Sequence, residues 1–208
     1  MDKQMLAGKV AIISGASYGM GYTMAELFAK EGAKVVMTAR GREKLDAAVT
    51  ELKKQGLDVT GVVADNKELS DVQKVIQTAL DVYGDLDIVI NNAAIGEQKM
   101  IDETDDEWLE HVYQTNVFGP FRFIREALKV FLPKNEGCII NISSVNGERP
   151  FCGASYPSIA KGCRSSWFPA RSSNQSRSSF RPSSPVAQVK GCRLSAFGGW
   201  RTSRSERW

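Results

Sequence analysis

Residues 9–21 read KVAIISGASYGMG, and this run constrains the fold more than any other stretch of the chain. Val10 to Ser14 are apolar or small, as in a short buried strand. Glycines follow at Gly15, Gly19 and Gly21, and the helix formers MAELFAKEG come next. Strand, glycine turn and helix in that order bring backbone N–H groups and a helix N-terminus up to a phosphate. Gly15 permits the tight turn out of the strand. Gly19 lets the backbone approach a pyrophosphate with no Cβ in the way, and Gly21 lets the helix pack close to the sheet. The spacing is GxxxGxG, not the general GxGxxG, and three glycines alone could be a glycine-rich loop. The flanking strand and helix favour a nucleotide.

The same alternation continues along the chain. An amphipathic helix is expected from Tyr22 to Glu31, closed by Gly32, and then a strand over 34–40, KVVMTAR. Arg42 to Gln55 reads as a helix stopped by Gly56, and LDVTGVVAD (57–65) as a third strand. Glu68 to Tyr83 is helical again, and LDIVINNAA (86–94) is a fourth strand running into a polar turn. Two helical runs with Pro120 between them occupy 105–131, Pro133 and Gly137 end the second, and CIINISS (138–144) is a fifth strand. Strands alternating with helices of this length predict an α/β fold with a doubly wound parallel sheet between two helical layers.

Composition narrows the function classes. Hydrophobic content of 42% and charged content of 25% are ordinary for a soluble globular protein. No apolar run is long enough for a membrane span or a signal-peptide core, so a cytoplasmic location is expected. The four cysteines, Cys138, Cys152, Cys163 and Cys192, show no CxxC pattern, and His111 is the only histidine. That spacing argues against a zinc site and gives no disulfide framework.

The glycine turn resembles that of the short-chain dehydrogenase/reductase family, usually TGxxxGxG, with Ser14 here in place of Thr. Asn91-Asn92-Ala93-Ala94 is similar to the family's NNAG, with Ala94 for Gly. The resemblance implies that these asparagines brace the sheet and line a cofactor site. Otherwise they form a simple Asx turn. Asp65 and Asn66, at the end of the third strand, match the place where the family contacts adenine. A strand-end Asp is otherwise a helix N-cap.

At the end of the second strand an acid would hydrogen-bond the ribose of NAD, but Arg40 stands there and no acid comes before Glu43. A guanidinium suits a 2′-phosphate through charge-assisted bonds, so NADP is expected and NAD is the alternative. The bland reading of Arg40 is a solvated strand end. Cofactor contacts are implied for Gly15, Ser17, Tyr18, Gly19, Met20, Gly21, Arg40, Asp65, Asn66, Asn91, Asn92 and Ala93, together with Tyr156 and Lys161.

The resemblance implies hydride transfer between a nicotinamide and a secondary alcohol or ketone. Tyr156 would be the acid/base, Lys161 its electrostatic partner, Ser144 a hydrogen bond to the substrate oxygen, and Asn116 the holder of a proton-relay water. The family places lysine four residues after tyrosine, on one helix face. Here YPSIAK separates Tyr156 and Lys161 by five, which turns the lysine an extra ~100° around a regular helix. Ser144 to Lys161 spans 17 positions, as the family requires, but that frame puts Pro157 at the tyrosine position. Ser143 and Tyr156 are correctly spaced at 13, but then the lysine is one place late. Pro157 also biases Tyr156 away from helical geometry.

Residues 163–208 differ from the rest. They hold eight arginines and one lysine against one acid, Glu206, with twelve serines and three of the chain's four tryptophans. No helical or strand period is legible, and the composition resembles what an out-of-frame translation gives, the alternative being a natural chain that tolerates a bulge at the Tyr156–Lys161 step. A dinucleotide-binding domain is expected over 1–162, incomplete at its C-terminal edge, followed by a disordered Arg/Ser-rich tail over 163–208. An Arg/Ser-rich segment that binds nucleic acid through phosphates is the alternative for the tail. The family's dimer surface uses helices around 105–131 and 155–170. The second is disturbed, so a homo-oligomer of the family's kind is doubtful. Catalysis is expected to be impaired, and a non-catalytic dinucleotide-binding remnant is the alternative.

Overall fold

The computed structural model of the chain describes residues 4–96 and 100–144. Five parallel strands are Val10–Ser14 (β1), Lys34–Ala39 (β2), Val59–Val63 (β3), Ile88–Asn91 (β4) and Cys138–Asn141 (β5). They pair in the order β3-β2-β1-β4-β5. Between them run the helices Gly19–Lys30 (α1), Arg42–Lys54 (α2), Leu69–Tyr83 (α3), Asp106–Tyr113 (α4) and Gly119–Lys134 (α5). The expected doubly wound α/β fold is the observed one.

The period-2 alternation of the strands sorts their side chains into two cores. Val10 and Ile12 of β1 join Val36, Val89 and Ile139 beneath α3 and α5, which contribute Val72, Val75, Phe123 and Phe131. Ala11 and Ile13 face the other way, with Val35, Met37 and Ile90, against Ala25 and Ala29 of α1 and Leu45 and Leu52 of α2. Central strands covered on both faces need continuous apolar sequence, and all five residues of β1 are buried.

Below the strands' N-terminal ends, a charge cluster joins the sheet's middle. The Asp87 carboxylate accepts from the Val10 N–H at 2.9 Å and from Lys9 Nζ at 3.0 Å. Lys134 Nζ donates to Asp85 at 2.7 Å and to the Leu86 carbonyl at 2.6 Å.

Local differences from the sequence-based expectations have physical causes. Helix α1 begins at Gly19, not Tyr22, because first-turn N–H groups lack helical acceptors anyway and glycines there cost little. Pro120 does not separate two helices. It lies at the start of α5, and a π-helical turn, Gln114–Phe118, joins α4 to α5 without a gap, the local change of helical pitch that accompanies the missing N–H. Helix α5 runs through Pro133 and ends at Asn135, whose left-handed φ of 51° closes it. Strand β4 is shorter than 86–94, because the Asn92 N–H leaves the ladder for the Ile90 carbonyl and Ser14 Oγ.

Candidate functional site

In a parallel sheet, the C-terminal ends of all strands lie at one edge, and β1 and β4 flank the point where the winding reverses. The loops after β1, β2, β3 and β4 meet there around a cavity of about 990 Å³.

The loop after β1 is held by an interlocking set of hydrogen bonds. Ser14 Oγ accepts from the Asn92 N–H at 3.0 Å and the Ala93 N–H at 3.1 Å, and donates to the Ile90 carbonyl at 3.3 Å. Asn92 Nδ2 donates to the carbonyls of Ser14 and Gly15, at 3.0 and 3.2 Å. The hydroxyl at position 14 therefore fastens the glycine turn to the end of β4. Gly15 has φ +68°, and a Cβ on it would lie 2.8 Å from Ala93 Cα. A Cβ on Gly21 would lie 2.7 Å from Asn92 Nδ2 and still nearer the Gly15 carbonyl oxygen. Gly21 thus lets the helix pack on the turn itself. Gly19, with φ +59°, has nothing within 4 Å of its Cβ position, so its backbone lies open.

Gly15, Ser17, Tyr18, Gly19, Met20, Gly21, Arg40, Asp65, Asn66, Asn92 and Ala93 all line the cavity. Arg42 and Lys44 of α2, Ala64, Ala94, Ile95 and Thr115 line it too, and sequence reasoning missed them. The signal for the first two was present in RGREK (40–44), which carries three cations in five residues. Arg40, Arg42 and Lys44 are exposed and make no ion pair or hydrogen bond with a described residue. Asp65 accepts from the Lys67 N–H at 3.0 Å and so shapes its own turn, while Glu68 takes the N-cap of α3.

Two further polar groups at the cavity are buried with no hydrogen-bond partner among the described residues, Asn66 Nδ2 and Thr115 Oγ1. Unsatisfied buried groups are costly, and a polar ligand is one way to satisfy them. A cavity with open glycine backbone on one side, free cations on another and orphaned polar atoms between them fits a phosphorylated nucleoside.

Three expected site residues that the structure describes, Asn91, Asn116 and Ser144, do not line the cavity. Asn91 is buried within the sheet and donates from Nδ2 to Asn141 Oδ1 across β4 and β5 at 2.9 Å. Asn116, in the π-helical turn, is fully buried and spends its amide on one residue. Its Oδ1 accepts from the Ile95 N–H at 2.8 Å, and its Nδ2 donates to the Ile95 carbonyl at 2.7 Å. Asn116 thus pins the loop after β4. Ser143 and Ser144 follow β5 at the same edge of the sheet as the cavity, and the Ile142 N–H still reaches the Asn91 carbonyl at 3.0 Å. Tyr156, Lys161 and the 163–208 tail lie outside the described residues.

His111 lines a second, smaller cavity of about 530 Å³ beside α4, with Lys67, Asp105 and Trp108. No cluster of three or more metal-ligating side chains occurs among the described residues. No described helix is long and apolar enough to cross a membrane.

Comparison with known proteins agrees with this geometry. Residues 9–168 match the family described as short chain dehydrogenase. An oxidoreductase of Thermotoga maritima is 36% identical over 140 residues, which are 67% of this chain and 55% of that protein. Dehydrogenase/reductase SDR family member 4 of Oryctolagus cuniculus is 30% identical, over 75% of this chain and 60% of its own length. The chain thus spans little more than half of these relatives. Among solved structures, a short chain dehydrogenase from Mycobacterium smegmatis superposes with a TM-score of 0.75 at 30% identity, covering 77% of this chain and 68% of that one. A variant actinorhodin polyketide ketoreductase solved with NADPH gives a TM-score of 0.73 at 30% identity, covering 78% and 62%. With a family match over three-quarters of its length, and a glycine turn and sheet order of the matching kind, the chain belongs to the short-chain dehydrogenase family.

Proposed function

We propose that the chain carries the cofactor site of an NADP-dependent oxidoreductase that interconverts a secondary alcohol and a ketone, with turnover impaired in this chain. The observation that carries the cofactor reading is the set of three exposed cations, Arg40, Arg42 and Lys44, which outnumber the one carboxylate among them, Glu43, and form no ion pair with a described residue at that end of the cavity. Free guanidinium and ammonium groups favour a dianionic 2′-phosphate over the bare hydroxyl of NAD. The glycine turn from Gly15 to Gly21 would hold the pyrophosphate, Asp65 and Asn66 the adenine, and Asn92 and Ala93 the nicotinamide side. When bound, the nicotinamide supplies the hydride acceptor or donor.

Proton transfer falls to Tyr156, with Lys161 lowering its pKa, Ser144 holding the substrate oxygen and Asn116 fixing the loop beside it. The five-residue spacing and Pro157 are the reason to expect impairment. They equally favour the second reading, a dinucleotide-binding protein without turnover. A cytoplasmic location and a small-molecule substrate accompany either reading.

The test uses the full chain and a variant with Pro157 deleted, which converts YPSIAK to YSIAK and restores the tyrosine–lysine spacing of four. NADPH binding is followed by fluorescence, and NADPH oxidation against a panel of ketones by absorbance. Both proteins should bind NADPH more tightly than NADH, with turnover confined to, or far faster in, the deletion variant. Binding without turnover in either protein establishes the second reading, and equal affinity for NADPH and NADH removes the NADP assignment.

A further inference from the structure

The glycine turn itself carries no cation, since Ala16, Ser17 and Tyr18 fill it between Gly15 and Gly19. Tyr18 is 73% exposed, so little of its ring is covered by the protein. What it does meet is Lys44, whose Nζ lies 5.7 Å from the ring centroid. Both residues line the same cavity, Tyr18 from the turn after β1 and Lys44 from the first turn of α2. Lys44 makes no ion pair with any described residue, so the ring is what orients its head group. An ammonium on a four-carbon stem otherwise samples many rotamers, and an exposed cation–π contact narrows that choice at modest cost. Three N–H donors radiate from the ammonium, so one face can rest on the ring while the others stay available to an anion.

We propose that Tyr18 is a positioning residue that holds Lys44 at the cavity mouth, where Lys44 joins Arg40 in reading the adenosine 2′-phosphate. Recognition of that phosphate is then divided between two elements. Tyr18 supplies from the turn a ring in place of a charge, and α2 supplies the charge. This rests on the NADP reading above, and the experiment separates the two.

The full chain is titrated calorimetrically with adenosine 2′,5′-bisphosphate and with 5′-AMP, which differs only by the 2′-phosphate. Wild type should prefer the bisphosphate by about tenfold or more. Lys44→Gln should weaken the bisphosphate about tenfold and leave 5′-AMP within about twofold. Tyr18→Leu should weaken the bisphosphate about threefold, Tyr18→Phe should restore it, and Tyr18→Leu should add nothing in a Lys44→Gln background. Both side chains are exposed, so urea midpoints should stay at the wild-type value.

If wild type discriminates the two ligands and Lys44→Gln discriminates equally well, the inference is wrong and the NADP reading survives on Arg40. If wild type binds both ligands alike, the NADP reading falls and the inference with it. If Tyr18→Leu weakens both ligands equally, the ring stacks on the adenine and does not position Lys44, which also overturns the proposal.

Discussion

Gly21→Ala is the sharpest probe of how the fold makes the cavity. The added methyl would overlap the Gly15 carbonyl oxygen and lie 2.7 Å from Asn92 Nδ2. The carbonyl belongs to the backbone of the turn and cannot rotate away. The Asn92 amide can, but only by giving up its bonds to the Ser14 and Gly15 carbonyls. Two such bonds are worth about 2 kcal/mol together, and forced displacement at a close-packed contact costs about 2 kcal/mol more. Alanine's better helix propensity returns about 1 kcal/mol, leaving a net loss of about 3 kcal/mol. Urea unfolding followed by circular dichroism measures this directly. Gly19→Ala is the control, because space is open there and only the positive φ is penalised, at about 1 kcal/mol. Nucleotide affinity should fall with Gly21→Ala as the turn shifts. The reasoning is refuted if Gly21→Ala stays within about 0.5 kcal/mol of wild type, or if Gly19→Ala proves the costlier change.

Other consequences are as direct. Ser14→Ala removes three hydrogen bonds, but the Asn92 N–H keeps the Ile90 carbonyl as a second acceptor, so a loss of about 2 kcal/mol is expected by urea titration, with Ser14→Thr close to wild type. Glu126 has a buried side chain, and the Lys129 ammonium 2.6 Å away holds its carboxyl below the ordinary value of 4.5. That stabilisation is present above pH 4.5 and is lost as pH falls through the depressed value, so Glu126→Gln should flatten the acid limb of stability against pH. Burial pushes the Tyr83 hydroxyl up to about 12, so its contribution is present below pH 10 and lost as pH rises toward 12. Tyr83→Phe should cost about 1 kcal/mol at neutral pH, through the bonds to Thr60 and Asp58, and weaken the alkaline dependence.

The sheet was legible because each strand is an apolar run bounded by glycine or charge, and each intervening helix carries its own stop signal. Helix ends were less legible. Pro120 reads as a break in sequence, yet the chain stays helical through it, with a π-helical turn immediately before. The glycine turn and the NNAA stretch could be placed at the cavity because their local chemistry is tied to their chain neighbours. The roles of Asn91 and Asn116 were not legible, because their partners, Asn141 and Ile95, lie 50 and 21 residues away. Arg42 and Lys44 were passed over for a related reason. Charges at a helix start look solvated until the sheet order brings that helix start beside the glycine turn.

On the function proposed above, cofactor binding and proton transfer rest on different parts of this chain. Every residue that lines the cavity falls between Gly15 and Thr115, carried by the loops after β1 to β4, the end of β2, the first turns of α1 and α2, and the π-helical turn before α5. Ser14, Asn92 and Asn116 lock those loops to one another through bonds that involve nothing beyond residue 116. The tyrosine and lysine that would move the proton come later, where the sequence puts them five apart. On a regular helix a shift of one position turns a side chain by ~100°, and the hydrogen bonds that shape the glycine turn involve neither Tyr156 nor Lys161. A chain of this design can lose turnover and still bind the dinucleotide, and for that reason binding and turnover have to be measured separately on the same protein.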